Sequence, residues 1–298
     1  MAILYTELAL AKFPFLLNQI FKVVSFPNCK INLGLNIIRK REDNYHDLET
    51  VFYPLPITDA LEVITADKQS EENAIQFSSS GLPINVDIES NLCVKAYYLL
   101  KNEFPDFPAV KMHLHKVIPM GAGLGGGSAN AAFTLKLLND KFNLSLSKEQ
   151  LINYALQLGS DCPFFIINKA CFATGRGEAL EEIKVNLSNY KIVIINPGIH
   201  INTSWAFAQI KPVQPKQSIK QIIQLPVEQW KDNLINDFEE PVLAHYPELN
   251  FLKQSFYQSG AVYVAISGSG STFYGIFRKE EKLEVNQFSS EYYVRIIE

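Results

Sequence analysis

Pro119-Met120-Gly121-Ala122-Gly123-Leu124-Gly125-Gly126-Gly127-Ser128-Ala129 stands between an alternating segment and one rich in alanine and leucine. On the upstream side Val110, Met112 and Leu114 alternate with Lys111, His113 and His115, a strand period. Downstream, helical spacing continues to about Leu138. The quoted run is therefore a strand-to-helix loop, with five glycines in the seven residues 121–127. Glycines let consecutive backbone amides line one concave turn, and the following helix N-terminus adds partial positive charge. A phosphate chain is the natural ligand, and a bare flexible loop is the bland alternative. No Gly-Lys-Ser/Thr closes the run, so it is not a Walker A loop. Gly121, Gly123 and Gly126 satisfy GxGxxG, but a dinucleotide fold needs a strand after the helix, ending in an acidic residue. Here the helix runs out at Asn139-Asp140 and a second helix follows, opened by a capping box at Ser147–Gln150 and closed by Gly159.

Upstream of the loop, Cys29, Ile31, Leu33, Leu35 and Ile37 alternate with Lys30, Asn32, Gly34 and Asn36, which predicts a strand. Lys30 and Asn32 share its polar face, expected to line a cleft, where a lysine offsets charge on a transferring phosphoryl group. A solvated edge lysine is the simpler reading of spacing alone. Further strands are expected through His46–Phe52 and Leu61–Ile64, and a helix over Asn91–Leu100 with Asn91 or Ser90 as its N-cap. Downstream of the loop, Gly159-Ser160-Asp161-Cys162-Pro163-Phe164 reads as a helix stop and a new start. Asp161 there is either an N-cap or a catalytic carboxylate. After Gly177 the pattern changes to a strand at 191–196, helices between about 204 and 259, and strands near 261–266 and 272–277. A soft domain boundary falls near 178–190, and the class is α+β.

Composition bounds the partners. The 298 residues are 47% apolar and 19% charged, with 27 basic and 31 acidic side chains and a net charge of −4. No overall positive field favours nucleic acid or anionic lipid, and no run of apolar residues is long enough for a membrane span. Four scattered cysteines, without a CxxC pair, fit reduced thiols in the cytoplasm. His113 and His115 share a strand face without a third ligand, so no protein-held metal is expected. Residues 1–22 are broken by Glu7, Lys12 and Pro14 and lack a cleavage pattern. They read as an appended helix or an early-assigned start, not as a signal peptide.

The proline-led loop resembles the phosphate-binding motif of the GHMP kinases. Pro27-Asn28-Cys29-Lys30-Ile31-Asn32-Leu33, Tyr45-His46-Asp47-Leu48-Glu49-Thr50 and Gly159-Ser160-Asp161-Cys162-Pro163-Phe164-Phe165 are similar to three segments of the diphosphocytidyl-methylerythritol kinases, in that family's order. The resemblance runs from about Val23 to Phe277. It implies a two-lobed GHMP fold, with a lobe like the second domain of ribosomal protein S5 over 23–185, a C-terminal lobe over 186–298, and 1–22 as an extension.

The resemblance also implies chemistry: ATP-dependent phosphorylation of a methylerythritol hydroxyl on a substrate carrying a cytidine diphosphate handle. ATP would lie on Pro119–Ala129, with Mg²⁺ travelling on it and Ser128 a further contact. Lys30 and Asp161 become the catalytic pair. Tyr45 matches the position that stacks on cytosine, His46 the one that hydrogen-bonds the base, and Phe207 the second aromatic wall; because neighbours on a strand point oppositely, a loop-like backbone is expected at Tyr45-His46. Asn32, Thr203 and Gly268, the last in Ser267-Gly268-Ser269-Gly270-Ser271-Thr272, complete the substrate set. Cys29 and Cys162 depart from the family pattern and are expected to be core packing. Alternatives are another GHMP kinase acting on homoserine, mevalonate or a sugar, and a nucleotide-binding protein without catalysis.

Overall fold

A computed structural model describes residues 23–66, 74–281 and 288–298. The extension over 1–22 lies outside the described residues. In chain order the strands begin with β1 (Val24–Ser25), β2 (Asn28–Lys40), β3 (His46–Thr58), β4 (Ala60–Thr65) and β5 (Ile75–Gly81). Then come α1 (Leu92–Glu103), β6 (Val110–Lys116), α2 (Gly126–Phe142), α3 (Lys148–Leu158) and α4 (Cys162–Ile167). Strands β7 (Cys171–Thr174), β8 (Ala179–Glu182) and β9 (Tyr190–Asn196) precede α5 (Thr203–Gln209) and the short α6 (Ile219–Ile222). The chain ends with α7 (Glu239–His245), α8 (Glu248–Gln258), β10 (Tyr263–Ile266), β11 (Phe273–Arg278) and β12 (Tyr293–Ile297). The mixture of sheets and helices is the expected α+β class. The described residues form two compact units, each discontinuous: those within 23–27, 58–117 and 127–166 in the first, and those within 28–57, 118–126 and 167–298 in the second.

In the first unit the sheet order is β1-β4-β6-β5. Strand β4 runs antiparallel to β6, with Val63 opposite Met112, and β5 runs parallel to it. Val110, Met112 and Leu114 are buried as the alternation requires. On the other face Ser78 and Ser80 lie 2.8 Å from the two ring nitrogens of His113. Asn91 caps α1 through the Cys93 amide at 2.9 Å, and the Ser147–Gln150 capping box opens α3. Helix α1 packs on α3, and buries Tyr97, whose hydroxyl donates to the Pro108 carbonyl at 3.0 Å. Each large apolar side chain buried in this way contributes roughly 1.5–3 kcal/mol.

The first unit also holds a buried ion pair. Lys116 Nζ bonds Asp59 Oδ2, and both side chains are wholly excluded from solvent. Asp59 further accepts the Val117 amide at 2.7 Å and the Asn130 side-chain amide at 2.8 Å. The carboxylate therefore ties the residue entering the glycine loop to the one leaving it.

The second unit holds two sheets, β2-β3-β7-β8 and β10-β11-β9-β12. Strand β9 carries the unbroken apolar run Ile192–Ile195, and its alternate residues enter two different cores. Ile192 and Ile194 join Ile31, Leu33, Trp230, Tyr263 and Tyr274. Val193 and Ile195 join Phe256, Phe273, Phe277 and residues of α7 and α8. An antiparallel sheet buried on both faces explains why this stretch lacks polar alternation. Strand β2 behaves similarly, because Asn28 to Leu35 are all buried. Its polar face is thus interior, not open as spacing suggested. Among the described residues, no helix is long and apolar enough to cross a membrane.

Candidate active site

The glycine loop's first part, through Gly126, belongs to the second unit. Gly121, Gly123 and Gly125 adopt left-handed φ values of 62°, 77° and 68°, while the intervening Ala122 and Leu124 are buried in the hydrophobic cluster. Left-handed residues at every second position are the kind of backbone in which successive N–H groups can line an anion-binding turn. Two bonds fix its place. The Lys30 amide donates to the Leu124 carbonyl at 3.0 Å, and the Ser267 hydroxyl donates to the Gly123 carbonyl at 2.8 Å. That same hydroxyl accepts the Asn32 amide at 3.2 Å. Ser267 therefore joins the loop to β2 across 235 residues of sequence.

The turn 267–272 is itself braced. Asn236 donates to the carbonyls of Ile266 and Gly268 at 3.0 and 2.9 Å. Gly268 has φ 58°, and a Cβ there would meet both Asn32 Oδ1 and Gly123 Cα at 3.4 Å. Lys30, Asn32, the loop and Gly268 thus come together. Met120 is exposed, Pro119 half-buried, and Gly121 faces His200.

Every polar group on the buried face of β2 has a partner. Lys30 Nζ donates to Asn32 Oδ1 at 2.5 Å and lies 4.7 Å from the Phe52 ring centroid. Asn32 Nδ2 donates to Thr50 Oγ1 at 3.0 Å, Thr50 donates to the Gly34 carbonyl at 2.5 Å, and the Tyr274 hydroxyl donates to the Asn32 carbonyl at 2.8 Å. Such a network holds the ammonium in one position instead of letting a four-carbon stem wander.

Tyr45 lies in the turn between β2 and β3, and His46 opens β3. The loop-like backbone expected there is present at Tyr45. Arg41 donates to Asp43 and to Asp47, Asp43 accepts the Tyr45 amide at 3.1 Å, and Asn44 takes φ 65°. The Arg41 guanidinium holds both carboxyls below their usual range. The His46 ring stacks on Phe207, centroids 4.9 Å apart and planes at 15°. Burial, with a smaller contribution from Lys40, pushes its imidazole below the usual value of 6.5. Thr203 begins α5 under an Asn202 cap, and its hydroxyl is 3.1 Å from Ser269.

The remaining residues lie in the first unit. Gly127, Ser128 and Ala129 form the opening turn of α2. Asp161 is half-buried and immediately precedes α4, with Pro163 in the helix's first turn. Burial pushes the Cys162 thiol up to about 12, although Ser128 hydrogen-bonds it. Cys93 is similarly pushed up to about 11. These thiols stay protonated, as packing residues do. Ser128 and Asp161 are hard oxygen donors of the kind Mg²⁺ prefers.

Sequence reasoning missed Ser267, Thr50 and Asn236 as organisers of the site. Only the proximity of Ser267 to Gly268 signalled the first, and nothing in the local pattern signalled the others.

Comparison with known proteins gives a consistent result. Residues 91–169 match the GHMP kinases N terminal domain, and 219–293 match the GHMP kinases C terminal family. A 4-diphosphocytidyl-2-C-methyl-D-erythritol kinase of Bacteroides fragilis is 49% identical over 91% of this chain and 97% of its own. One from Cytophaga hutchinsonii is 48% identical over 86% and 92%. A crystal structure of 4-(cytidine 5'-diphospho)-2C-methyl-D-erythritol kinase superposes with a TM-score of 0.73 at 29% identity, covering 85% of this chain and 89% of that one. The mevalonate kinase of Methanococcus jannaschii, 14% identical with a TM-score of 0.67, shares the fold.

Proposed function

The chain belongs to the 4-diphosphocytidyl-2-C-methyl-D-erythritol kinase family of the GHMP kinases, and from that membership we propose the reaction and the work of each residue. The reaction is transfer of the γ-phosphoryl group of ATP to the 2-hydroxyl of the methylerythritol moiety, a step toward isoprenoid precursors that bypasses mevalonate. It takes place in the cytoplasm, where the four buried thiols remain reduced. The family's two domains are assigned to 23–185 and 186–298, a division that leaves the two family matches on opposite sides.

Phosphoryl transfer asks chiefly for positioning and charge stabilisation. The loop Pro119–Ala129 cradles the ATP phosphates through its backbone N–H groups, which begin at Met120. Mg²⁺ bound with ATP would supply charge neutralisation, and Ser128 is the residue that would touch it. Asp161 orients the acceptor hydroxyl or takes its proton. Lys30, fixed by Asn32, holds the oxygen and offsets its developing charge. On the handle, Tyr45 stacks on cytosine, His46 hydrogen-bonds the base edge, Phe207 forms the second wall, and Thr203 and Gly268 touch the remainder.

The observation that carries this reading is the junction at Ser267, which brings a phosphate-type loop and the lysine strand together within one unit. ADP release by the purified protein with ATP, Mg²⁺ and the diphosphocytidyl substrate tests it. No turnover while ATP still binds would sink the substrate assignment.

Two variants probe the parts. A Cβ built at Gly123 overlaps the Ser267 carbonyl oxygen, and φ there is 77°. Strain of about 1–3 kcal/mol makes Gly123→Ala weaken a non-hydrolysable ATP analogue about tenfold or more. Calorimetric titration checks this, and unchanged affinity would remove the loop from phosphate binding. Burial lowers the His46 value, so its ring stays neutral to more acidic pH than a solvated imidazole does. Affinity for cytidine diphosphate is expected to hold while the ring is neutral and to fall on the acid side, as the ring charges. His46→Gln should lack that acid limb.

A further inference from the structure

Tyr45 is 54% exposed, yet one of its faces is occupied. The guanidinium carbon of Arg176 lies 4.8 Å from the ring centroid, over its face. The turn that carries Arg176 is built into the sheet. Gly175 accepts the Leu48 amide at 2.8 Å, two residues past His46, and Ala173 pairs with Thr50. Gly175 and Gly177 adopt φ values of 69° and 106°, and the Gly177 amide closes on Thr174 at 3.1 Å. Glu178 accepts the Arg176 amide at 2.6 Å, and its other oxygen stands 3.6 Å from Arg176 Nε. Both the backbone and the head of this arginine are therefore oriented before any ligand arrives.

We propose that Arg176 is a positioning residue for the nucleotide handle: its guanidinium backs one face of Tyr45, so that a pyrimidine base meets a fixed platform on the other. The inference rests on the stacking role given to Tyr45 above. An exposed tyrosine in a turn is a rotor, and ordering it on binding costs affinity. A planar cation stacked on one face removes that freedom while leaving the opposite face open. Arginine suits the task better than lysine, because its head is flat, weakly hydrated and matched to an aromatic face. Glu178 keeps the head from swinging toward solvent. The second wall differs: Phe207 has His46 stacked against it, so the face of Tyr45 opposite Arg176 is the one prepared for a base.

A double-mutant cycle reads this directly. Cytidine 5'-diphosphate and a non-hydrolysable ATP analogue are titrated calorimetrically into the full chain, as the parent, Arg176→Ala, Arg176→Lys, Tyr45→Ala and the Arg176→Ala/Tyr45→Ala pair. Arg176→Ala should weaken cytidine diphosphate about five- to tenfold, since a site that is ordered in advance is lost, and leave the ATP analogue unaffected. In the Tyr45→Ala background the same change should have no further effect, because Arg176 acts through that ring. Arg176→Lys, which keeps the charge but not the plane, should resemble Arg176→Ala. Additive losses, full recovery by lysine, or a matching loss of ATP affinity would each overturn the inference. A parent that binds the ATP analogue but not cytidine diphosphate overturns the substrate reading, and this inference with it. Parent binding that Arg176→Ala leaves intact overturns this inference only.

Discussion

Asp161→Asn keeps the fold and loses nearly all turnover: kcat falls roughly 10²–10⁴-fold, the range a positioned general base supplies. The substitution conserves shape and hydrogen-bonding reach, and asparagine is as good a helix cap as aspartate, so α4 still starts after residue 161. What the proposed role loses is the capacity to take a proton from the acceptor hydroxyl. Affinity for an ATP analogue should stay near that of the parent, since the phosphates are held elsewhere. Lys30→Met is the companion variant. It preserves most of the volume of a side chain that is only 3% exposed, and it removes the charge that Asn32 holds in place. Its kcat should fall on a similar scale. Single-turnover ADP formation measures both, and a variant within tenfold of the parent would take that residue out of the chemistry.

Asp59→Ala has the largest expected effect on stability. The carboxylate is bonded to the Lys116 ammonium, the Val117 amide and the Asn130 amide, with no solvent access. Deleting it takes the carboxylate from a buried cation and the acceptor from two donors, and breaking a buried pair in this way costs about 3–5 kcal/mol. That is a large part of the 5–15 kcal/mol or so typical of a folded domain. Urea titration should show the midpoint move sharply down. Replacing both partners, Asp59→Leu with Lys116→Met, should recover much of the loss, because the penalty arises from a buried charge that has lost its carboxylate. A single variant as stable as the parent would mean that water reaches Lys116. Asn130→Ala is a milder probe of the same carboxylate.

Much of this molecule could be read before its structure. The strand before the loop, the long helix after it, the Asn91 cap and the Ser147–Gln150 box are local signals, and each is present. Strand β5 was not foreseen. Its Ser78-Ser79-Ser80 run has little intrinsic strand tendency and is held by parallel pairing with β6. The interior position of Lys30 and Asn32 was hidden too, because alternation shows two faces but not what covers the second. Ser267, Asn236 and Tyr274 act on residues roughly 30 to 240 positions away, and no window along the chain contains both ends of such a contact. Arg176 fell in a turn whose glycines marked a change of direction but not the ring it would meet.

The hydrogen bond between Tyr274 and the Asn32 carbonyl also sets a schedule. Its two ends are 242 residues apart. At about 5–20 residues per second, a ribosome completes the partner of β2 roughly 12–50 seconds after the strand itself. The first unit has all its sequence by residue 166, whereas the second opens at residue 28 and closes only at the C-terminus. During that interval Cys29, Ile31 and Leu33 have none of the late strands to cover them. Yield in a foreign host should therefore depend on translation pace and chaperone supply as well as on the stability of the finished enzyme.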